Sequence, residues 1–261
     1  SSAYKKTDWG KQTAEWDTTT PKLELTQIEK YGGFYVGRYE AGLASTITEF
    51  KTNQISNGSN QIYNKKGIPQ SKAGIIPWMF IDWTQAKENA ESMYNNDYVS
   101  SGLITGTQWD VILNTMQSKL GLSASDMTNS SSWGNYKNTS ITYTGRKATA
   151  SHNGSNWIIQ PFGTKTTNGK KGTYANNVRG GELLTTGASA TTEKYHIFDI
   201  AGNISEWTEE DSHYATSGQY RIIRGDSFIH TSDDTSACYR GNSAVSSTGI
   251  AVGFRVVICI K

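Results

Sequence analysis

The chain has 261 residues, with 25 Lys and Arg against 23 Asp and Glu, a formal charge of +2, and only 18% charged side chains. That length holds a sizeable core in one domain, and 26 Gly, 8 Trp and 14 Tyr mark a globular, loop-rich chain rather than a disordered one. No basic stripe or run supplies a nucleic-acid footprint, and no apolar run reaches the length of a membrane span, so neither nucleic-acid binding nor membrane insertion by this segment is expected.

Residues 1–20 are polar and irregular and read as an N-terminal arm, with Trp9 and Trp16 packing part of it down. Ser1 is not a natural start, so a signal or anchor is expected to be missing from this chain. Residues 21–261 read as a single domain. Its first segment, 21–33, predicts a short helix, with Pro21 in the first turn and Gly32 as C-terminal cap. The alternating, aromatic-rich 34–42 predicts a strand. Residues 43–75 are rich in Gly, Ser and Asn and predict a long loop. "IPWMFIDW" (76–83) predicts extended chain, and Asp82 caps a helix from Trp83 to about Tyr94. Within 102–121 a short strand and a turn precede a second helix, on which Trp109, Ile112, Leu113, Met116 and Leu120 form an apolar stripe. Residues 121–180 predict long, polar, Gly-punctuated irregular chain, with "GKKG" (169–172) at a loop tip. Short strands follow at "YHIFDI", "ISEWT", "RIIRG", "ACYRG" and "VGFRVVICI". Helices early and antiparallel strands late indicate an α+β fold.

Few catalytic signatures survive inspection. His152, His196, His213 and His230 show no metal-ligand or triad spacing, and neither a nucleophile elbow nor a phosphate loop occurs. Cys238 and Cys259 lack Cys-x-x-Cys spacing and are expected as two core thiols rather than a bridge. Three Asn-x-Ser/Thr triplets, at 57–59, 138–140 and 153–155, match glycosylation acceptors by composition alone. Arg224-Gly225-Asp226 matches the adhesion tripeptide read by integrins, a role that needs a protruding loop. In "FDIAGNISEWTEE" (198–210), Asp199 precedes Glu206 by seven residues across a Gly-Asn turn. Two carboxylates and exposed carbonyls around a tight turn are calcium chemistry; an ordinary turn capped by Asp199 is the alternative.

Three segments in order, "FDIAGNISEWT", "IIRGDSF" and "GFRVV", resemble the GN-x-x-EW, RGGS-aromatic and GFR motifs of the formylglycine-generating enzyme (sulfatase-modifying factor) superfamily. Upstream, "IPWMFIDWTQAKENAE" and "GLITGTQWDVIL" are similar to the family's V-x-W-x-x-A and RLPTEAEWE segments, and "YGGFYVGRYEAG" to the opening strand of a bacterial and prophage branch. The resemblance spans about residues 21–261. It implies a C-type-lectin-like fold: a small twisted antiparallel sheet, two or three helices and extensive ordered loops. It also implies a structural Ca2+ held by the side chains of Asp199 and Glu206 and the carbonyls of Gly202 and Ile204. In the oxidising members a cysteine pair follows the RGGS-aromatic strand. Here those positions correspond to His230 and Thr235, so that activity and its redox cofactor are not expected. The sulfoxide-synthase relatives need an added helical domain that this sequence lacks.

The resemblance implies a binding protein instead, with the variable proteins of diversity-generating retroelements as the nearest type. The RG-x-S-aromatic and GFR frames bracket an aperiodic segment, giving an expected variable region of about 224–256. The expected ligand face is Asp226, Phe228, His230, Thr231, Asp233, Tyr239, Asn242, Ala244, Val245, Ile250 and Val252. Recognition residues gather on loops over a rigid scaffold. The expected partner is a protein or glycan, met at a cell surface, outside the cell or on a phage particle; a carbohydrate-binding lectin and a degenerate oxidoreductase are the alternatives. Trp207, Phe254 and Arg255 read as scaffold. Arg255 is expected to satisfy buried carbonyls or a carboxylate, with Glu206 its partner if Glu206 holds no ion.

Overall fold

A computed structural model describes residues 30–44, 49–51, 67–142, 149–152, 156–160, 173–175, 183–212, 219–233 and 235–261. The arm at 1–20, most of the expected first helix, the GKKG tip, His213 and the acceptor triplets at 57–59 and 153–155 lie outside these residues. In chain order the strands are β1 (Tyr35–Val36), β2 (Glu49–Lys51), β3 (Val99–Leu103), β4 (Ser140–Thr142), β5 (Thr149–His152), β6 (Asn156–Gln160), β7 (Thr173–Ala175), β8 (Leu183–Leu184), β9 (Glu193–Lys194), β10 (Ile197–Phe198), β11 (Ser205–Asp211), β12 (Tyr220–Arg224), β13 (Arg240–Ala244), β14 (Val252–Phe254) and β15 (Val256–Ile260). The helices are α1 (Trp83–Glu91), α2 (Gly106–Leu120) and α3 (Ala124–Thr128). The class is α+β, as the sequence indicates.

Both long helices start where their caps dictate. The Asp82 carboxylate accepts from the Gln85 N–H at 2.8 Å, and Thr105 and Gln108 form a reciprocal capping box at the start of α2. Helix α1 stops at Glu91, short of the expected Tyr94. The Ser101 hydroxyl donates to the Ala90 carbonyl at 2.6 Å and accepts from the Tyr94 N–H at 2.8 Å, so β3 takes over the groups another turn would need. Gly121, at φ 67°, ends α2 in the left-handed region. Trp109, Ile112, Leu113 and Met116 are buried as the stripe requires, whereas Leu120 is exposed.

Two expectations need correction. The strand over 34–42 is only β1: the Gly37 N–H still donates to the Val256 carbonyl at 2.8 Å in the β1–β15 register, but the chain then leaves that register, and the Ala41 N–H donates to the Phe254 carbonyl at 2.8 Å. The loops expected at 43–75 and 121–180 contain α3 and strands: β2-β6-β5-β8 form a four-stranded sheet, and β4 pairs with β7. Their backbones pair, although their sequences carry little of the apolar alternation that announces a strand.

The C-terminal half builds the platform. The sheet order is β13-β12-β11-β14, with β11 and β14 parallel. One residue later the chain enters a different sheet, β1-β15-β3, as its central strand. Arg255 stands at that switch. One core cluster gathers Trp78, Met79 and Ile81 with Trp207, Phe228 and Phe254. A second gathers Trp109, Ile112 and Leu113 with Trp133, Tyr136, Ile200 and Cys238. Both cysteines are free thiols in separate surroundings: Cys238 beside Ser236, Cys259 beside Gln108.

Candidate ligand face on the C-terminal segment

The segment from Arg221 to Ile260 contains two kinds of residue. The first kind is closed in. Arg255 is fully buried, and its guanidinium grips the Glu206 carboxylate, with Nη2 at 2.6 Å and Nε at 3.0 and 3.1 Å. Its remaining donors reach the carbonyls of Gly37 at 2.8 Å and Phe198 at 2.9 Å. Glu40 and Asp199 complete this buried cluster. Burial pushes the Glu40 carboxyl well above the ordinary range, and the charges of Asp199 and Glu206 add to the effect. Burial likewise raises Asp199 and Glu206. Desolvation works against the charge on the Arg255 guanidinium, but Glu206, Glu40 and Asp199 together raise its pKa. A second buried lattice joins Arg224 and Arg240 of the sheet to Asp110 of α2, with Arg224 Nη2 at 2.8 Å from Asp110 Oδ1 and Arg240 Nη2 hydrogen-bonded to Asp110 Oδ2.

Arg224-Gly225-Asp226 is therefore no protruding loop. Arg224 and Asp226 are buried, and Gly225 sits at φ 78° with its Cα pressed on Ile200. A Cβ there would meet the Ile200 carbonyl oxygen at 2.7 Å, which admits glycine alone. The Gly225 carbonyl accepts from the Gly202 N–H at 2.9 Å and the Tyr136 hydroxyl at 3.0 Å.

The second kind of residue is open, and the expected face divides accordingly. Asp226 and Phe228 are scaffold: Phe228 is 3% exposed within the first core, and Asp226 holds His230 from beneath, its Oδ1 at 2.8 Å from Nδ1. His230, Asp233, Asn242 and Ile250 are exposed, and Thr231, Tyr239, Ala244, Val245 and Val252 are half-buried. Burial raises the Tyr239 hydroxyl, with Asp226 adding to it. Two patches result. Asn138 and Asn129 brace the 230–233 loop, the Asn138 Oδ1 accepting from the Ser232 N–H at 2.9 Å and the Asn129 amide donating to Asp233 at 3.3 Å. The 242–252 stretch lies against the 78–83 segment, with the Trp83 N–H donating to the Val245 carbonyl and the Phe80 N–H to the Gly249 carbonyl. Ile229 and Val252 pack half-buried on the same core as Phe80 and Trp83, which joins the two patches.

The profile of the Sulfatase-modifying factor enzyme 1-like domain matches residues 27–260. The chain belongs to this family. A search of curated proteins finds no match. Among solved structures the chain is similar to Treponema denticola variable protein 1, at 15% identity and a TM-score of 0.42, covering 87% of this chain and 84% of that one.

The two positions that the resemblance sets against the catalytic cysteines are His230, exposed on the face, and Thr235, whose hydroxyl donates to the Thr231 carbonyl at 2.9 Å. Cys238 is buried, and burial raises its thiol, which opposes the thiolate that such chemistry requires. The calcium ligands implied by the resemblance do not fit an ion as they are placed. Both Glu206 oxygens face the Arg255 guanidinium. Asp199 accepts from the Gly187 N–H and the Thr192 hydroxyl, each at 2.7 Å. Among the described residues no group of three or more His, Cys, Asp or Glu is placed to hold a metal. Gly202 and Ile204 lie on the same turn, their N–H groups donating to Gly225 and Glu40. The cation at this turn is Arg255.

Sequence reasoning missed two contributors. Arg221 lies with its guanidinium 4.4 Å from the Trp83 ring, and the Trp83 indole N–H donates to the Thr208 carbonyl at 2.9 Å. This stacked pair borders the 242–252 patch. Only the aromatic density of "IPWMFIDW" hinted at it.

Proposed function

We propose that this chain is a non-catalytic ligand-binding protein of the diversity-generating-retroelement variable type. It recognises its ligand through the face formed by residues 230–252 and the Phe80–Trp83 edge. One observation carries the reading. The buried bonds of the C-terminal segment fall on Arg224, Gly225, Asp226, Arg240 and Arg255, while Val245, Ile250 and Val252 reach the surface with side chains outside those lattices. Side chains of the second kind are free to change without disturbing the frame, which is what a diversified recognition surface requires. The partner is a macromolecule at a cell surface or phage particle. Among the described residues no helix is long and apolar enough to cross a membrane.

The test is the locus together with the protein. A near-repeat of the 3′ end of the gene, differing at adenines in codons for the exposed residues, beside a reverse-transcriptase gene, is the expected finding. A single unrepeated 3′ end with no such gene removes the retroelement part. Loss of binding to a panel of surface proteins and glycans on Val245→Asp with Ile250→Asp, at unchanged melting temperature, supports the face. Retained binding removes it.

A further inference from the structure

The recognition sheet ends in an open edge. Among the described residues strand β13 pairs on one side only, with β12, in the register Tyr220↔Ala244, Ile222↔Asn242 and Arg224↔Arg240. The Val245 N–H donates to the Gln219 carbonyl at 2.9 Å, and this fixes the parity. In an antiparallel ladder hydrogen-bonded pairs alternate with non-bonded ones. The bonded pairs are therefore Gln219/Val245, Arg221/Ser243 and Ile223/Gly241. The main-chain N–H and C=O of Asn242 and the N–H of Ala244 point away from β12, along the open side, while the Ala244 carbonyl accepts from the Ser247 N–H at 2.8 Å. Asn242 is exposed and Ala244 half-buried. The sequence "RGNSA" has no Pro or Lys to blunt the edge, and Arg240 turns inward to Asp110. The opposite edge of the sheet is covered at β14, where the Phe254 carbonyl, turned away from β11, accepts from the Ala41 N–H at 2.8 Å.

We infer that β13 is a strand-addition site, at which an extended polypeptide segment of the protein ligand pairs with the Asn242 and Ala244 main chain. The partner class follows from the donor set. Alternating N–H and C=O groups at strand spacing are matched by another peptide backbone, whereas a glycan presents hydroxyls without that repeat. The edge is continuous with the face, since Asn242, Ala244 and Val245 belong to both. It also supplies what a changing surface lacks: main-chain groups that remain whichever side chains stand at 242 and 244. The inference rests on the recognition reading above for the ligand meeting this face, and it narrows that ligand to protein.

A random-peptide display library panned against the intact chain tests it. Peptides selected on wild type are expected to lose roughly tenfold or more in affinity for Asn242→Pro and for Ala244→Pro, about one net hydrogen bond each. Both substitutions remove an outward N–H and leave the β12 ladder whole, an arrangement proline tolerates on an edge. Asn242→Ala keeps the main-chain donor and is expected to retain binding. Amide exchange gives an independent readout: Asn242 and Ala244 are expected to exchange fast in the free chain and to become protected with peptide, while Gly241 and Ser243 are slow in both states. Equal affinity of both proline variants and wild type overturns the strand-addition site. So does a library without binders, or protection of Asn242 and Ala244 in the free chain that rises with concentration, which assigns the edge to a second copy. If Val245→Asp with Ile250→Asp abolishes binding while the proline variants bind normally, the face reading stands and the edge falls. The reverse pattern keeps the edge and removes the face.

Discussion

The Arg255 neighbourhood and the 242–252 stretch are only residues apart in sequence and belong to opposite regimes. Around Arg255 three buried carboxylates, Glu40, Asp199 and Glu206, share one guanidinium, and little can change without leaving a charge uncompensated. Along 242–252 most side chains are exposed or half-buried, and the bonds to neighbours are largely main-chain ones, through Val245 and Gly249. Where the structural bonds lie in the backbone, side chains are replaceable; where they lie in side chains, they are not. The chain alternates these regimes within one short segment, so its tolerance of mutation is set residue by residue.

Breaking the frame gives the largest expected effect. Arg255→Met leaves Glu206 buried without its partner and is expected to lower unfolding free energy by about 3–5 kcal/mol, read by urea denaturation; a loss below about 1 kcal/mol would show that the pair is dispensable. Phe228→Ala comes next, at about 3 kcal/mol for an aromatic core truncation, against a change near zero if Phe228 were a face residue.

The pH dependence of stability sharpens the contrast. Because the folded Glu40 pKa is raised, the native state holds a proton that the unfolded chain gives up above its ordinary carboxylate range. Stability from this group is fully present below about pH 4.5 and is lost as pH rises through the raised folded value. Glu40→Gln is expected to flatten the decline of melting temperature from mildly acidic to neutral pH, and an unchanged slope would assign the dependence to Asp199 or Glu206.

On the open side, Ile250→Asp and Thr231→Ala are expected to stay within about 0.5 kcal/mol of wild type, measured by the same denaturation. A larger loss at either would place it in the frame. The smallest expected effect is that of calcium. Equal melting temperatures in calcium and in excess chelator follow from Arg255 as the resident cation, and a rise of several degrees with calcium would require Arg255 to swing away from Glu206.

Much of the frame was legible. The turn and strand motifs pointed to Trp207, Phe254 and Arg255 as scaffold, and Arg255 does grip Glu206, the partner named for it if no ion were held. The caps at Asp82 and Gly121 stood where their residue types required. The weave of β2, β5, β6 and β8 was not legible, because a strand held by backbone pairing within a multi-sheet fold need not alternate. The face was half legible. Aperiodicity marked out a segment with many exposed side chains, yet it cannot say that Asp226 and Phe228 point inward; that follows from φ 53° at Asp226 and from the seat of Phe228 beside Trp207. The Arg221 and Trp83 pair escaped because its members lie far apart in sequence.

The switch at Arg255 bears on how this protein is made. Strand β15 is the middle of its sheet, between β1 from the start of the domain and β3. During synthesis that sheet has no centre, and Glu206 no counter-charge, until residues 255–260 emerge. A frameshift or stop introduced anywhere upstream within 224–252 removes both at once. Only a reading frame intact through β15 therefore completes both the sheet and the buried ion pair.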